Sequence, residues 1–186
     1  MKTLYLERSG SNCRKGDWTG TLDLDGTERI VVGMGPGSFA GVRAALAFAR
    51  GYALGRPATE VLGLPSPCAI AGAYRASASG AESPLAVIGD ARRGRKWIAL
   101  FDGCKAVKPI FQIEGDAYPA ELLHSGTPVL SPDDSRIGEE LRAVFADRYL
   151  GEALPTDEGL RLYAEANPGE LTVEPLPIYL NPAVRN

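Results

Sequence analysis

The sequence predicts an α/β protein. Three observations carry that prediction: short apolar runs of strand length, helical-period segments between them, and a glycine-rich turn joining the two kinds of element. The turn is Gly35-Pro36-Gly37-Ser38-Phe39-Ala40-Gly41-Val42-Arg43, fed by the apolar run Ile30-Val31-Val32. Its glycines let the backbone bend sharply and approach another backbone or an anion, and Ser38 can accept from an unpaired N–H of the first helical turn. A helix start of this kind is positively polarised without a charged side chain.

Taken in order, residues 4–6 read as a short strand, and residues 18–24 alternate as a half-exposed strand does, with Asp25-Gly26 as the turn that follows. Residues 30–33 form a short buried strand. Val42, Ala45, Leu46, Ala49 and Ala53 then mark one face of a helix, while Gly41, Ala44, Ala47, Phe48 and Gly51 give it a second face of small residues. Such a helix suits either a central core position or a core position that doubles as a subunit interface. Gly55-Arg56-Pro57 is a stop signal.

Residues 61–67 read as strand and turn, 68–74 as helix, and 75–83 as a polar, small-residue linker. Beyond it, residues 85–89 and 96–101 are two strands around the turn 90–94, and 106–113 a third that Pro109 pushes to an edge. Two amphipathic helices follow, one carrying Ile137, Leu141, Val144 and Phe145 after the cap Ser135, the other Leu160, Tyr163 and Ala164 after Thr156. The proline-rich tail 175–180 is expected to pack as an extended edge. The linker divides the 186 residues into an N-terminal lobe, 1–82, and a C-terminal lobe, 83–186.

The composition, 45% hydrophobic and 23% charged with a formal net charge of -3, is that of a globular chain and argues against a broad electrostatic grip on nucleic acid. One basic cluster stands out, Arg92-Arg93-Gly94-Arg95-Lys96. Cys13, Cys68 and Cys104 are odd in number and widely spaced, which suggests neither a disulfide framework nor a zinc site and fits a reducing cytoplasm. No run approaches the ~20 apolar residues of a membrane span, so neither export nor membrane embedding is expected.

Catalytic motifs are hard to assemble from these residues. The turn lacks the Lys-Ser/Thr ending of a phosphate-binding P-loop and misses the G-x-G-x-x-G spacing, and Ser38 sits one residue out of G-x-S-x-G. Ser38 therefore reads as a helix cap rather than a nucleophile. His124 is the only histidine and lies at an apparent helix end, where it complements the helix dipole and is the sole base available to any hydrolase. No metal site and no cofactor is implied. Asp90-Ala91-Arg92 admits two readings, a solvated turn, or a clamp in which Asp90 holds the turn while Arg92, Arg93, Arg95 and Lys96 meet an anion or RNA backbone.

The stretch 32–43 with the small-residue helix behind it, the run 90–94 and the tail 175–180 together resemble the TsaB (YeaZ) family, accessory subunits of the bacterial machinery that makes threonylcarbamoyladenosine in tRNA. The resemblance spans about residues 30–101 plus the last helix and tail. It implies an actin-like (ASKHA, ribonuclease H-like) two-lobed fold and a non-catalytic scaffold that pairs with TsaD-like and TsaE-like proteins in the cytoplasm, touching tRNA only indirectly or weakly. The interface expected from it is the helix start, Gly35, Pro36, Gly37, Ser38, Phe39, Gly41, Val42 and Arg43 with Ala45 and Phe48.

Two departures from the family pattern stand out. Glu7 occupies the place of an aspartate at the end of the first strand, and the strand and long helix that the family places before its signature are missing, which truncates the first lobe. The helix at 39–53 then loses its usual neighbour, so a partner or a second copy forming a homodimer is expected to cover it. Two other functions compete with the scaffold reading: a divergent actin-like ATPase or kinase, and a homodimeric interaction protein without a role in tRNA. A peptidase has only Ser38 and His124 to work with.

Overall fold

The computed structural model describes residues 1–10, 22–77, 83–103 and 105–180. These fall into two compact units, the described residues of Met1–Ala73 with Pro155–Ile178, and those of Tyr74–Leu154 with Tyr179 and Leu180.

The first unit is built on a sheet of β1 (Lys2–Leu6), β2 (Thr27–Gly33), β3 (Glu60–Leu64) and β10 (Thr172–Val173), in that order. The first three strands are parallel, and the two-residue β10 runs antiparallel along β3 at the edge. Helix α1 (Phe39–Leu54) crosses between β2 and β3, the right connection for parallel neighbours. Leu6, Ile30 and Val32 pack against Val42, Ala45, Leu46, Ala49 and Tyr52 of α1. Val31, on the opposite face of β2, is buried as well, so the strand reads as a continuous apolar run.

Helix α2 (Pro67–Ala76) follows β3, and α5 (Asp157–Ala166) returns to lie along β1. The helices α2 and α5 meet at Gly72 and Gly159, where a methyl group would strike the other helix's backbone. Thr156 caps α5 by accepting from the Gly159 N–H at 3.0 Å, as its position predicts.

The second unit carries the hairpin of β4 (Leu85–Arg92) and β5 (Arg95–Asp102), flanked by β6 (Lys105–Ala106) and β7 (Phe111–Glu114), both antiparallel to β5. On the other side, β8 (Val129–Ser131) and β9 (Tyr149–Glu152) add parallel strands beyond β4. Helices α3 (Ala120–His124) and α4 (Asp134–Phe145) close the core, in which Ala86, Ile88 and Ile98 meet Tyr118, Leu122, Ile137, Leu141 and Phe145.

Several expectations need correction. The break at 82/83 misplaces residues 155–178, which belong to the first unit because α5 and β10 pack on β1 and β3. The strand expected over 106–113 is two strands, interrupted around Pro109. The N-cap position of helix α4 is Asp133, whose side chain makes no capping hydrogen bond, and Ser135 lies inside the first turn. Gly55 ends α1 at φ −82°, in the right-handed region. The tail 175–180 forms no strand, although the Ile178 N–H donates to the Met34 carbonyl at 2.8 Å. Of the strand read at 18–24, residues 22–24 are irregular and 18–21 lie outside the described residues, as do Cys13, Cys104 and linker residues 78–82.

Candidate functional site

In the first unit, the glycine turn uses its polar groups internally. Ser38 Oγ accepts from the Gly41 N–H at 3.2 Å, the Ser38 N–H donates to the Ser9 carbonyl at 2.7 Å, and the Gly35 N–H donates to Ser66 Oγ at 2.9 Å. The N–H groups of Gly35, Ser38 and Gly41 are thus engaged by the chain itself, and Ser38 is a cap. The turn also lies hard against the segment after β1. A Cβ at Gly41 would fall on the Arg8 carbonyl, and one at Gly37, whose φ is 156°, on Ser9.

Beneath the turn sits Glu7, 5% exposed. One carboxyl oxygen accepts from the Ser9 N–H at 2.7 Å, and the other, Oε2, is buried without a partner. Burial raises the Glu7 pKa, hydrogen bonds from Ser9 and Ser66 oppose the shift, and the charge of Asp157 adds to it. Enclosed in this way, the Glu7 carboxyl is withdrawn from any ligand at the turn. Asp157 is occupied in holding this corner, accepting from the Glu7 N–H at 2.5 Å and from Arg8 at 2.6 Å.

Helix α1 divides the expected interface residues into two groups. Gly41, Val42 and Ala45 face the core and Phe48 is half-buried, so these are packing residues. The solvent face consists of Phe39, Ala40, Arg43, Ala44, Ala47, Arg50, Gly51 and Leu54, with Phe39 58% and Leu54 86% exposed. Arg43 stacks over the Phe39 ring at 4.9 Å, and Arg50 donates to the Pro175 carbonyl at 2.7 Å. Next to Arg50 lies a cavity of about 490 Å³, apolar apart from Arg50, Thr59 and Glu174.

In the second unit, Asp90 lies within β4 and shapes the hairpin end. Its Oδ1 accepts from the Arg92 N–H at 2.7 Å, while its own N–H donates to Asp133 Oδ2 at 3.0 Å. Arg136 reaches both carboxylates, at 3.4 Å from Asp90 and 2.8 Å from Asp133. Burial raises the Asp133 pKa, a backbone hydrogen bond from Asp90 and the charge of Arg136 lower it, and the charge of Asp90 raises it again. Asp133 and Arg136 have no signal in the local sequence near Asp90, since the fold brings them together across 43 residues or more.

Arg92 and Arg93 are exposed and Arg95 is half-buried. Lys96 leaves the basic set. Its side chain is 5% exposed and pairs with Glu140 and, at 3.3 Å, Asp116, while its ammonium lies 5.5 Å from the centre of the Tyr118 ring. Strand alternation turns it inward beside Ile98 and makes it a structural cation. His124, at the end of α3, donates from Nδ1 to the Ala120 carbonyl at 2.7 Å. Among the described residues, no three His, Cys, Asp or Glu side chains gather as a metal site requires, and no helix is long and apolar enough to cross a membrane.

Solved structures share this architecture, among them two from Pseudomonas aeruginosa. "YeaZ from Pseudomonas aeruginosa" aligns over 82% of this chain and 74% of its own at 21% identity and a TM-score of 0.65. A Pseudomonas aeruginosa protein described as uncharacterized, "with similarity to peptidase YEAZ", aligns over 83% and 74% at 20% identity and a TM-score of 0.64. The fold is therefore the actin-like α/β fold of YeaZ. No curated protein sequence matches. Residues 21–116, just over half of the chain, match the family described as "TsaD: tRNA N6-adenosine threonylcarbamoyltransferase", and the chain belongs to that family.

Proposed function

We propose that the chain acts in tRNA threonylcarbamoyladenosine formation as a TsaB-type accessory subunit, a scaffold that pairs with a TsaD-like protein and, with it, a TsaE-like ATPase. The family match supports the pathway. The observation that carries the scaffold role is the solvent face of α1, where Ala40, Ala44, Ala47 and Gly51 repeat at helical spacing between exposed Phe39 and Leu54. Small residues let another helix approach closely, and a helix whose solvent face is apolar apart from Arg43 and Arg50 is suited to a second packing partner. A second copy is the alternative occupant.

The internal hydrogen bonding of the Ser38 turn and the buried acid Glu7 favour this reading over an ATPase or kinase. Deleting the gene should lower threonylcarbamoyladenosine in tRNA, read by mass spectrometry of nucleosides, and Ala47→Arg should fail to restore it while leaving the fold intact. Unchanged modification in the deletion strain refutes the pathway. Full restoration by Ala47→Arg refutes the use of this face.

A further inference from the structure

We propose that the tip of the β4–β5 hairpin, Arg92-Arg93, is a contact surface for the phosphate backbone of RNA. The inference begins with the backbone. Arg92 pairs with Arg95, leaving Arg93-Gly94 as a two-residue loop with φ of 56° and 70°, the left-handed pair that a type I′ hairpin demands. Asparagine or glycine meets that demand at least cost, yet arginine stands at the first loop position and again at Arg92, where φ is 67°. Two long cationic side chains in sparsely populated backbone conformations are a strained choice for a mere turn, and strain of this kind concentrates where side chains have a task.

The surroundings hold the tip rigid and leave the charges outward. The Asp90 carboxylate fixes the Arg92 N–H, and Asp133 fixes the Asp90 N–H. Arg92 keeps 62% of its side chain exposed and meets Asp90 only at 3.5 Å, and Arg93 is exposed. The local carboxylates are Asp90, Asp133 and, opposite Arg95 across β5 and β7, Glu114, set against Arg92, Arg93, Arg95 and Arg136. A small positive excess remains. Every outward cation here is an arginine, whose planar fork matches phosphate oxygens in pairs, whereas the one lysine is turned inward.

With a chain net charge of -3, the surface orients an RNA brought near it rather than capturing one from a distance. The occupant is named as RNA on the strength of the proposed role in tRNA modification. The chemistry recognised is the phosphodiester backbone, with no base contact implied.

The test titrates a labelled, unmodified tRNA transcript with the full chain over a range of salt concentrations. A contact with two phosphates predicts a slope of log K against log salt of roughly −1.4 to −1.8. Arg92→Asn with Arg93→Asn should bring the slope close to zero, and relief of the left-handed strain should raise the thermal midpoint by roughly 2–4 °C. Arg92→Lys with Arg93→Lys should retain most of the slope. An unchanged slope in the asparagine variant, a wild type that shows no salt-dependent binding, or a lowered midpoint in the asparagine variant overturns the assignment. The deletion strain tests the pathway independently, so loss of either conclusion leaves the other distinguishable.

Discussion

Replacing Glu7 by glutamine should make the protein more stable as pH rises, relative to the wild type, and leave the two alike in acid. The native carboxyl is fully enclosed, with Oε2 lacking any partner and Gly33 so close that a Cβ there would collide with it. Burial is the largest cause of its raised pKa. The native state therefore keeps the proton to higher pH than the unfolded chain does. Below the ordinary carboxylate range both states hold it, and the group contributes fully to stability. As pH climbs from that range toward the native pKa, the unfolded state ionises first and native stability falls, by at most about 1.4 kcal/mol per pH unit for one proton.

Glutamine keeps the shape of the protonated acid and cannot ionise. Its Oε1 can still accept from Ser9, while its amide takes the place of the acid O–H. The gain at higher pH comes from the ionisation that glutamine cannot undergo, and it grows by at most about 1.4 kcal/mol for each pH unit above the ordinary carboxylate range until the native pKa is reached. The groups facing Glu7 are Asp157 on α5, Arg8 on its own segment, and Cys68 on α2. The assay is urea unfolding by far-ultraviolet circular dichroism from pH 5 to pH 8.5. Asp133 also has a raised pKa and gives the wild type a slope of the same sign, so the reading is the difference between the two proteins. Parallel curves, or a glutamine variant less stable throughout, would refute a proton-holding Glu7.

Gly41→Ala should cost about 1–3 kcal/mol through collision with the Arg8 carbonyl, whereas Gly51→Ala, exposed with nothing near its Cβ, should stabilise the same helix by up to about 1 kcal/mol; urea midpoints compare the two. Lys96→Ala should lower the thermal midpoint, at a cost of about 1.5–3 kcal/mol, because it breaks the contacts with Glu140 and Asp116 and opens space beside Tyr118; exposed Arg93→Ala should not do so. Thr156→Ala should remove the cap of α5 at a cost of about 1 kcal/mol, with amide exchange at Gly159 reporting the loss.

What the sequence made legible, and what it did not, divides along the distance over which each signal acts. The Ser38 turn and α1 were readable because cap, glycines and apolar period lie within twenty residues and agree. Lys96 was misread because β5 is buried on both faces: Trp97, Ala99 and Phe101 on one side and Ile98 on the other hide the alternation that would have turned the lysine inward. Ser135 lost the capping position to Asp133 because Ser131-Pro132-Asp133-Asp134-Ser135 offers several capping residues in succession, and the parallel pairing of β8 fixes where the helix can begin. Glu7 looked like a simple replacement for aspartate. Its burial follows from partners at Ser66 and Asp157, set by α2 and α5, and the same long return of the chain placed residues 155–178 in the first unit. The hairpin tip shows both regimes at once. The basic run is visible locally, but its left-handed backbone and its brace from Asp133 exist only in the folded chain, and these turn an exposed charge cluster into a shaped surface.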